Sequence, residues 1–221
     1  MTKFDTTAPI TAVLDIPAGR VQVIAADRTD TVVEVLPADA SKTRDVKVAE
    51  QTKVEYRDGV LRIHATAKNQ LLGSSGFIEV TVQLPAGSHV EAKAASAEVR
   101  GVGRLGDVTF DGAEGIVKVD EVASLRVTTH AGDVTVGRLT GSAAVTTGKG
   151  DIRIAEAVSG EVTLRTQAGD VSVGAAAGVS ASLDAGTSYG RIHNSLRNAD
   201  GAPALTIHAT TDYGDIDARG L

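Results

Sequence analysis

Cysteine and tryptophan are absent from this chain of 221 residues, and methionine occurs once. Without cysteine there are no disulfides and no thiolate metal ligands. Aromatic residues make up 3% of the sequence, too few for the stacking platforms on which unpaired bases are held. With 22 basic residues against 28 acidic ones the net charge is −6, and no basic stripe gathers the positive charges. Both facts argue against nucleic acid as a partner. Long apolar runs are missing too. The stretch from Val171 to Val179 is broken by Ser172, Gly174 and Gly178, far short of the ~20 residues of a membrane span. The opening MTKFDTTAPITAVLDIPAG has no signal-peptide core, because Asp5 interrupts soon after Lys3. A soluble, cytoplasmic protein is the expectation.

What is present is aliphatic and turn-forming. Hydrophobic residues make up 42% of the chain and glycine contributes 24 residues. Val and Thr favour strands, and Gly supplies turns at positive φ. The composition predicts an all-β protein with a core of Val, Ile, Leu and Ala and without aromatics.

Two regions emerge along the chain. Residues 1–88 hold strands without a fixed repeat, from Val13-Leu14-Asp15-Ile16 to the run FIEVTVQL at Phe77 to Leu84. Asp58-Gly59 between two alternating runs predicts a hairpin. From Pro37 to Gln51 the alternation weakens, which reads as a loop holding one helical turn. Lys68 to Gly76 reads as a mobile loop.

Residues 89–221 repeat. Val90, Val108, Leu125, Ala143, Val162, Ala181 and Leu205 each begin an apolar-x-apolar triplet, at intervals near 18 residues that lengthen late in the chain. In phase with them run Gly115-Ile116, Gly132-Asp133-Val134, Gly150-Asp151-Ile152, Gly169-Asp170-Val171, Gly190-Arg191-Ile192 and Gly214-Asp215-Ile216. A sustained short period marks stacked units that cannot bury their apolar face alone. The prediction is a single-stranded parallel β-solenoid of short, ~18-residue coils, with residues 1–88 as a β-rich region capping or extending it. Gly132, Gly150, Gly169 and Gly214 are then structural turn residues at positive φ. Asp133, Asp151, Asp170 and Asp215 accept hydrogen bonds from turn N–H groups.

The stretches IPAGRVQVIAADRTDTVVEV and VTVQLPAGSHVEAKAASAEV, with the Gly-Asp ladder that follows, resemble the bacterial toast-rack β-strand-repeat family, also known as a "putative adhesin" family of unknown function. The resemblance covers nearly the whole chain and implies a β-solenoid. It implies no catalytic residues, and it associates such chains with membrane-stress components in many bacteria.

The repeats were weighed for chemistry. Stacked Asp side chains repel unless a cation lies between them, yet calcium needs six to eight oxygens in one site. The G-G-x-G-x-D consensus is absent, and Arg191 interrupts the column. No metal or other cofactor is expected. His64, His89, His130, His193 and His208 form no H-x-x-x-H or H-E-x-x-H pattern, and His130 reads as an exposed turn imidazole beside the Gly132-Asp133 corner. TTGKGD, from Thr146 to Asp151, does not complete a phosphate-loop motif. The pairs Thr128-Thr129, Thr146-Thr147 and Thr210-Thr211 read as strand-forming Thr ladders, with a repetitive docking face as the functional alternative. Polysaccharide cleavage would need clustered carboxylates, whereas these lie singly at turns. The leading expectation is a non-enzymatic scaffold or protein-interaction module, which self-associates through a solenoid end finishing at DIDARGL. A carbohydrate- or surface-binding adhesin is the alternative.

Overall fold

The computed structural model describes residues 1–65, 76–198 and 202–221. The fold is a parallel β-solenoid, and it divides into two compact units, Met1–Ile116 and Val117–Leu221.

In the first unit, β1 (Thr2–Asp5), β2 (Thr11–Ala26) and β3 (Asp30–Pro37) precede α1 (Thr43–Gln51). Then follow β4 (Lys53–Arg57), β5 (Val60–His64), β6 (Ile78–Pro85) and β7 (His89–Glu114). β2 is a whole coil. Its buried residues alternate along one arm, the chain turns at Gly19, and they alternate again along the second arm. The first arm lies in parallel between β5 and β7, and the second between β6 and β7. Residues 11–26 are therefore part of the solenoid, and the first coil in sequence is second in space.

The outer coil of this unit is covered. β4 runs antiparallel to β5 through the Asp58-Gly59 hairpin, where both residues have positive φ. β3 runs antiparallel to β6 and carries β1 on its far side. The stretch read as a loop with one turn holds the nine-residue helix α1 instead. It packs on β3 and β6. A long-range contact anchors it: the buried Asp45 carboxylate accepts the Phe77 N–H at 3.0 Å. Of the loop expected from Lys68 to Gly76, residues 68–75 lie outside the described residues.

One aromatic joins the Val, Ile, Leu and Ala of the hydrophobic core. Phe110 on β7 is fully buried, contrary to the expected core without aromatics. Gly112 makes its room, since a Cβ there would stand 2.7 Å from the ring.

In the second unit, β8 (Val117–Ala131), β9 (Val134–Leu139), β10 (Ala143–Lys149), β11 (Ile152–Ala157), β12 (Gly160–Ala168) and β13 (Val171–Ala175) climb in sequence order. They are followed by β14 (Ala181–Tyr189), β15 (Ile192–Ser195), β16 (Leu205–Tyr213) and β17 (Ile216–Gly220). Each coil contributes one strand to each of two parallel ladders. Val117, Val134, Ile152 and Val171 stand in register, each at most 1% exposed. Burying one such side chain contributes roughly 1.5–3 kcal/mol, so repetition alone builds a stable spine. Ile116, aligned in the sequence with the buried residues, occupies the outward Asp position, 40% exposed. Its carbonyl accepts from Val99 as the Asp133 carbonyl accepts from Val117.

The last coils are not stacked in sequence order. β16 pairs with β12 on one side and β14 on the other, and β17 likewise lies between β13 and β15. The chain leaves β13, builds the outermost coil as β14–β15, and returns to fill the gap. DIDARGL, expected at an open solenoid end, is thus held between neighbours. Among the described residues, the open end of the second unit belongs to β14–β15.

Candidate functional site

The Gly-Asp corners form a ladder with three interlocking parts. Gly132, Gly150, Gly169 and Gly214 have φ of 136°, 141°, 150° and 153°, a region that disfavours any residue with a Cβ. Close approach adds a second requirement. A Cβ on Gly150, Gly169 or Gly214 would fall 2.3, 2.1 or 2.0 Å from the Gly carbonyl of the coil below. Beside each glycine, the Asp carboxylate accepts a backbone N–H from the next coil. Asp133 takes that of Asp151 at 2.9 Å, Asp151 that of Asp170 at 2.8 Å, and Asp170 that of Asp215 at 2.7 Å. The column ends on Arg191, whose N–H donates to Asp215 Oδ1 at 2.8 Å and whose guanidinium meets Oδ2 at 3.0 Å. Those two contacts, the backbone N–H first, hold the Asp215 carboxyl below its ordinary value.

The third part lies inside the corner. Thr147, Thr166, Thr211 and Thr187 point inward and donate their hydroxyls to the carbonyls of Gly132, Gly150, Gly169 and Gly214. Thr129 is buried in the same column. Of each Thr pair weighed as a docking face, one member is therefore a core residue, and only Thr128, Thr146 and Thr210 face solvent. TTGKGD is simply one of these corners.

The structure gathers a polar group that the sequence pattern did not reveal. On the outer face, across β12, β16 and β14, Glu161, Thr163, Arg165, Asp184, His208 and Thr210 line a depression of about 300 Å3. His208 Nδ1 lies 3.3 Å from Asp184 Oδ2. These two residues sit directly opposite in the ladder on consecutive coils, and the inverted coil order sets Thr163 of β12 on the other side of His208. His64 pairs with Asp15 in the same manner, and His89 Nδ1 accepts the N–H of Asp107. His130 is exposed. Among the described residues, no group of three or more His, Asp or Glu is placed to hold a metal ion, and no helix is long and apolar enough to cross a membrane.

β14 and β15 have a ladder partner on one side only, among the described residues. Here the aliphatic spine reaches solvent, with Ile192 46% exposed above Ile216. At the neighbouring corner Tyr189 and Tyr213 stack at 5.0 Å, with ring planes 3° apart, and are 68% and 61% exposed. This outermost coil is the least covered part of the second unit.

Several solved structures are similar to this chain. The "putative adhesin" of Bacteroides fragilis is 12% identical, with a TM-score of 0.51, over 98% of this chain and 95% of its own. The "putative cell adhesion protein" of Clostridium sporogenes is 12% identical over 100% and 98% of the two chains, with a TM-score of 0.44. The "putative lipid binding protein" of Parabacteroides distasonis is 11% identical over 98% and 95%, with a TM-score of 0.43. No curated protein matches the chain. The family model described as Toastrack DUF4097 matches residues 74–219, and the chain belongs to that family.

Proposed function

We propose that the protein is a non-enzymatic interaction scaffold that docks partners on its outermost coil, β14–β15. One observation carries this reading: the outer coil of the first unit is covered by β3 and β4, whereas β14 and β15 keep an edge with no ladder partner among the described residues. An open edge is a template for further strand pairing. The carboxylates of the Gly-Asp corners accept backbone N–H groups of neighbouring coils, a structural role that supports a scaffold. Placing a photo-crosslinking amino acid at Gly186 on β14 and, separately, at Lys93 on β7 tests the reading in cells. Adducts are expected from position 186 and not from position 93. Equal labelling, or none at 186, overturns it.

A second reading, a carbohydrate- or surface-binding adhesin, takes support from the outer-face depression. Its hydroxyl, imidazole, guanidinium and carboxylate groups suit a ligand rich in hydroxyls, and the Bacteroides fragilis relative carries the adhesin name. Glycan-array binding that is lost in His208→Ala and Arg165→Ala is the expected result. The native protein found only in the cell interior would defeat this reading.

A further inference from the structure

We propose that the partner of the β14–β15 edge is a second copy of this chain, joined by antiparallel pairing of β14 with β14 about a twofold axis at Ala185. The inference rests on the docking role assigned to that edge. The Ala181 N–H points away from β16 and donates to the Arg197 carbonyl at 3.0 Å. Strand alternation therefore directs the N–H and C=O of Leu183, Ala185 and Thr187 to the same open side. In an antiparallel pair, residues that present both groups to the partner must face one another. Centring the pair on Ala185 meets that condition, with Leu183 opposite the partner's Thr187 and Ala185 opposite the partner's Ala185.

Charge and apolar contacts favour the same register. Asp184, the one charged residue on β14, faces the partner's Gly186, which has no side chain. A register one step shorter would set Asp184 against its own copy, where like charges repel. The outermost coil also carries Arg191 and Arg197, so the acidic surplus behind the chain's net charge of −6 is not concentrated at this end. Pairing brings Arg197, held beside Ala181, to the partner's Tyr189, where an exposed aromatic face attracts a cation. It also continues the spine, covering Ile192 and Leu183 with the equivalent coil. Beyond Ala181, which Arg197 covers, the edge lacks the usual protective devices: β14 has no proline and no lysine, and among the described residues no strand pairs with its open side.

The test is sedimentation equilibrium on the full chain from micromolar to millimolar concentration, with three variants. The wild type is expected to dimerise reversibly. Ala185→Pro removes an outward N–H, which an edge strand tolerates, and is expected to be monomeric, with the wild-type urea midpoint at concentrations where the wild type is also a monomer. Gly186→Asp and Gly186→Lys read the register without depending on that variant. A Cβ at Gly186 meets nothing within 4 Å, so both should fold. Asp there opposes the partner's Asp184 and weakens the dimer about fivefold, whereas Lys tightens it by a similar factor. A wild type monomeric throughout, an Ala185→Pro variant that still dimerises, or Asp and Lys variants that shift together would each overturn the proposal. A monomeric wild type whose position-186 crosslinks capture a different protein would overturn self-pairing while leaving the docking role intact.

Discussion

The hydroxyl of Thr211 donates to the carbonyl of Gly169 at 2.9 Å, across 42 residues of sequence and one step of the solenoid. Thr147, Thr166 and Thr187 repeat the bond at their own corners. Each of these four Thr thus couples the core of one coil to the turn of the next. Thr211→Val keeps the shape and removes the donor, so it should lower stability by about 1–2 kcal/mol. Thr210→Val, facing solvent one residue away, should stay within about 0.5 kcal/mol. Urea denaturation of the two variants measures the difference; equal losses would show that the inward hydroxyls carry no weight.

The corner glycines are constrained twice, by φ and by the neighbouring backbone. Gly169→Ala places a methyl group 2.1 Å from the Gly150 carbonyl at a φ of +150°, and neither coil shifts without opening the ladder. A cost above about 3 kcal/mol is expected, in the range reserved for strain at special backbone positions. Gly178, at φ +78° with nothing within 4 Å of a Cβ, isolates the conformational part. Gly178→Ala should cost only about 1–2 kcal/mol. Thermal unfolding of both variants separates steric from conformational strain.

The recurrence of side chains was legible because a column of stacked residues demands the same shape at every level. That is why Val134, Ile152 and Val171 align by period alone and meet in register. The order of the last coils was not legible. Any rung with the same inward pattern fits on any other, and periodicity states what stacks without stating on which side. Two local signals carried the missing information. Arg191 replaces Asp at the last rung of the ladder, and an inward position weakens to Asn194 on β15, where the neighbouring coils carry Val173 and Ala218. α1 escaped for a different reason: its anchoring bond joins Asp45 to Phe77 across 32 residues, and no local pattern reports it. The His208–Asp184 pair joins consecutive rungs, as the period implies; the inverted coil order hid the other side of the depression, where His208 stands beside Thr163 of β12.

Acid should loosen the first unit through Asp30. Its carboxylate meets Arg28 at 2.7 Å and Lys3 at 3.0 Å. These hydrogen bonds, that of Arg28 first, lower its pKa from the ordinary 3.8 to about 2. A folded-state pKa below the unfolded one means that the contribution is complete above pH 3.8 and is lost as pH falls toward about 2. Asp30→Asn should flatten that part of the acid limb while leaving the dependence at higher pH unchanged. Urea midpoints measured across the window, with an NMR titration of the Asp30 carboxyl carbon, check both statements. An unchanged acid limb in the variant would assign the acid sensitivity elsewhere.

Neighbouring positions 151 and 152 should respond in opposite ways to a change of charge. Ile152 is 1% exposed between Val134 and Val171. Ile152→Asp would put a carboxylate into the dry spine with no donor in reach, costing several kcal/mol or forcing the group to stay protonated. Asp151 lies at the surface, and its Oδ1 accepts the Asp170 N–H at 2.8 Å. Asp151→Asn retains an acceptor oxygen for that bond and removes one of four stacked like charges, so its stability should change by less than about 0.5 kcal/mol in either direction. Asp151→Ala removes the acceptor and should cost about 1 kcal/mol. Denaturation midpoints for the three variants rank them, with Ile152→Asp far below the rest. If Asp151→Asn fell furthest instead, the carboxylate column would be the element holding the coils together, and the aliphatic spine would be secondary to it.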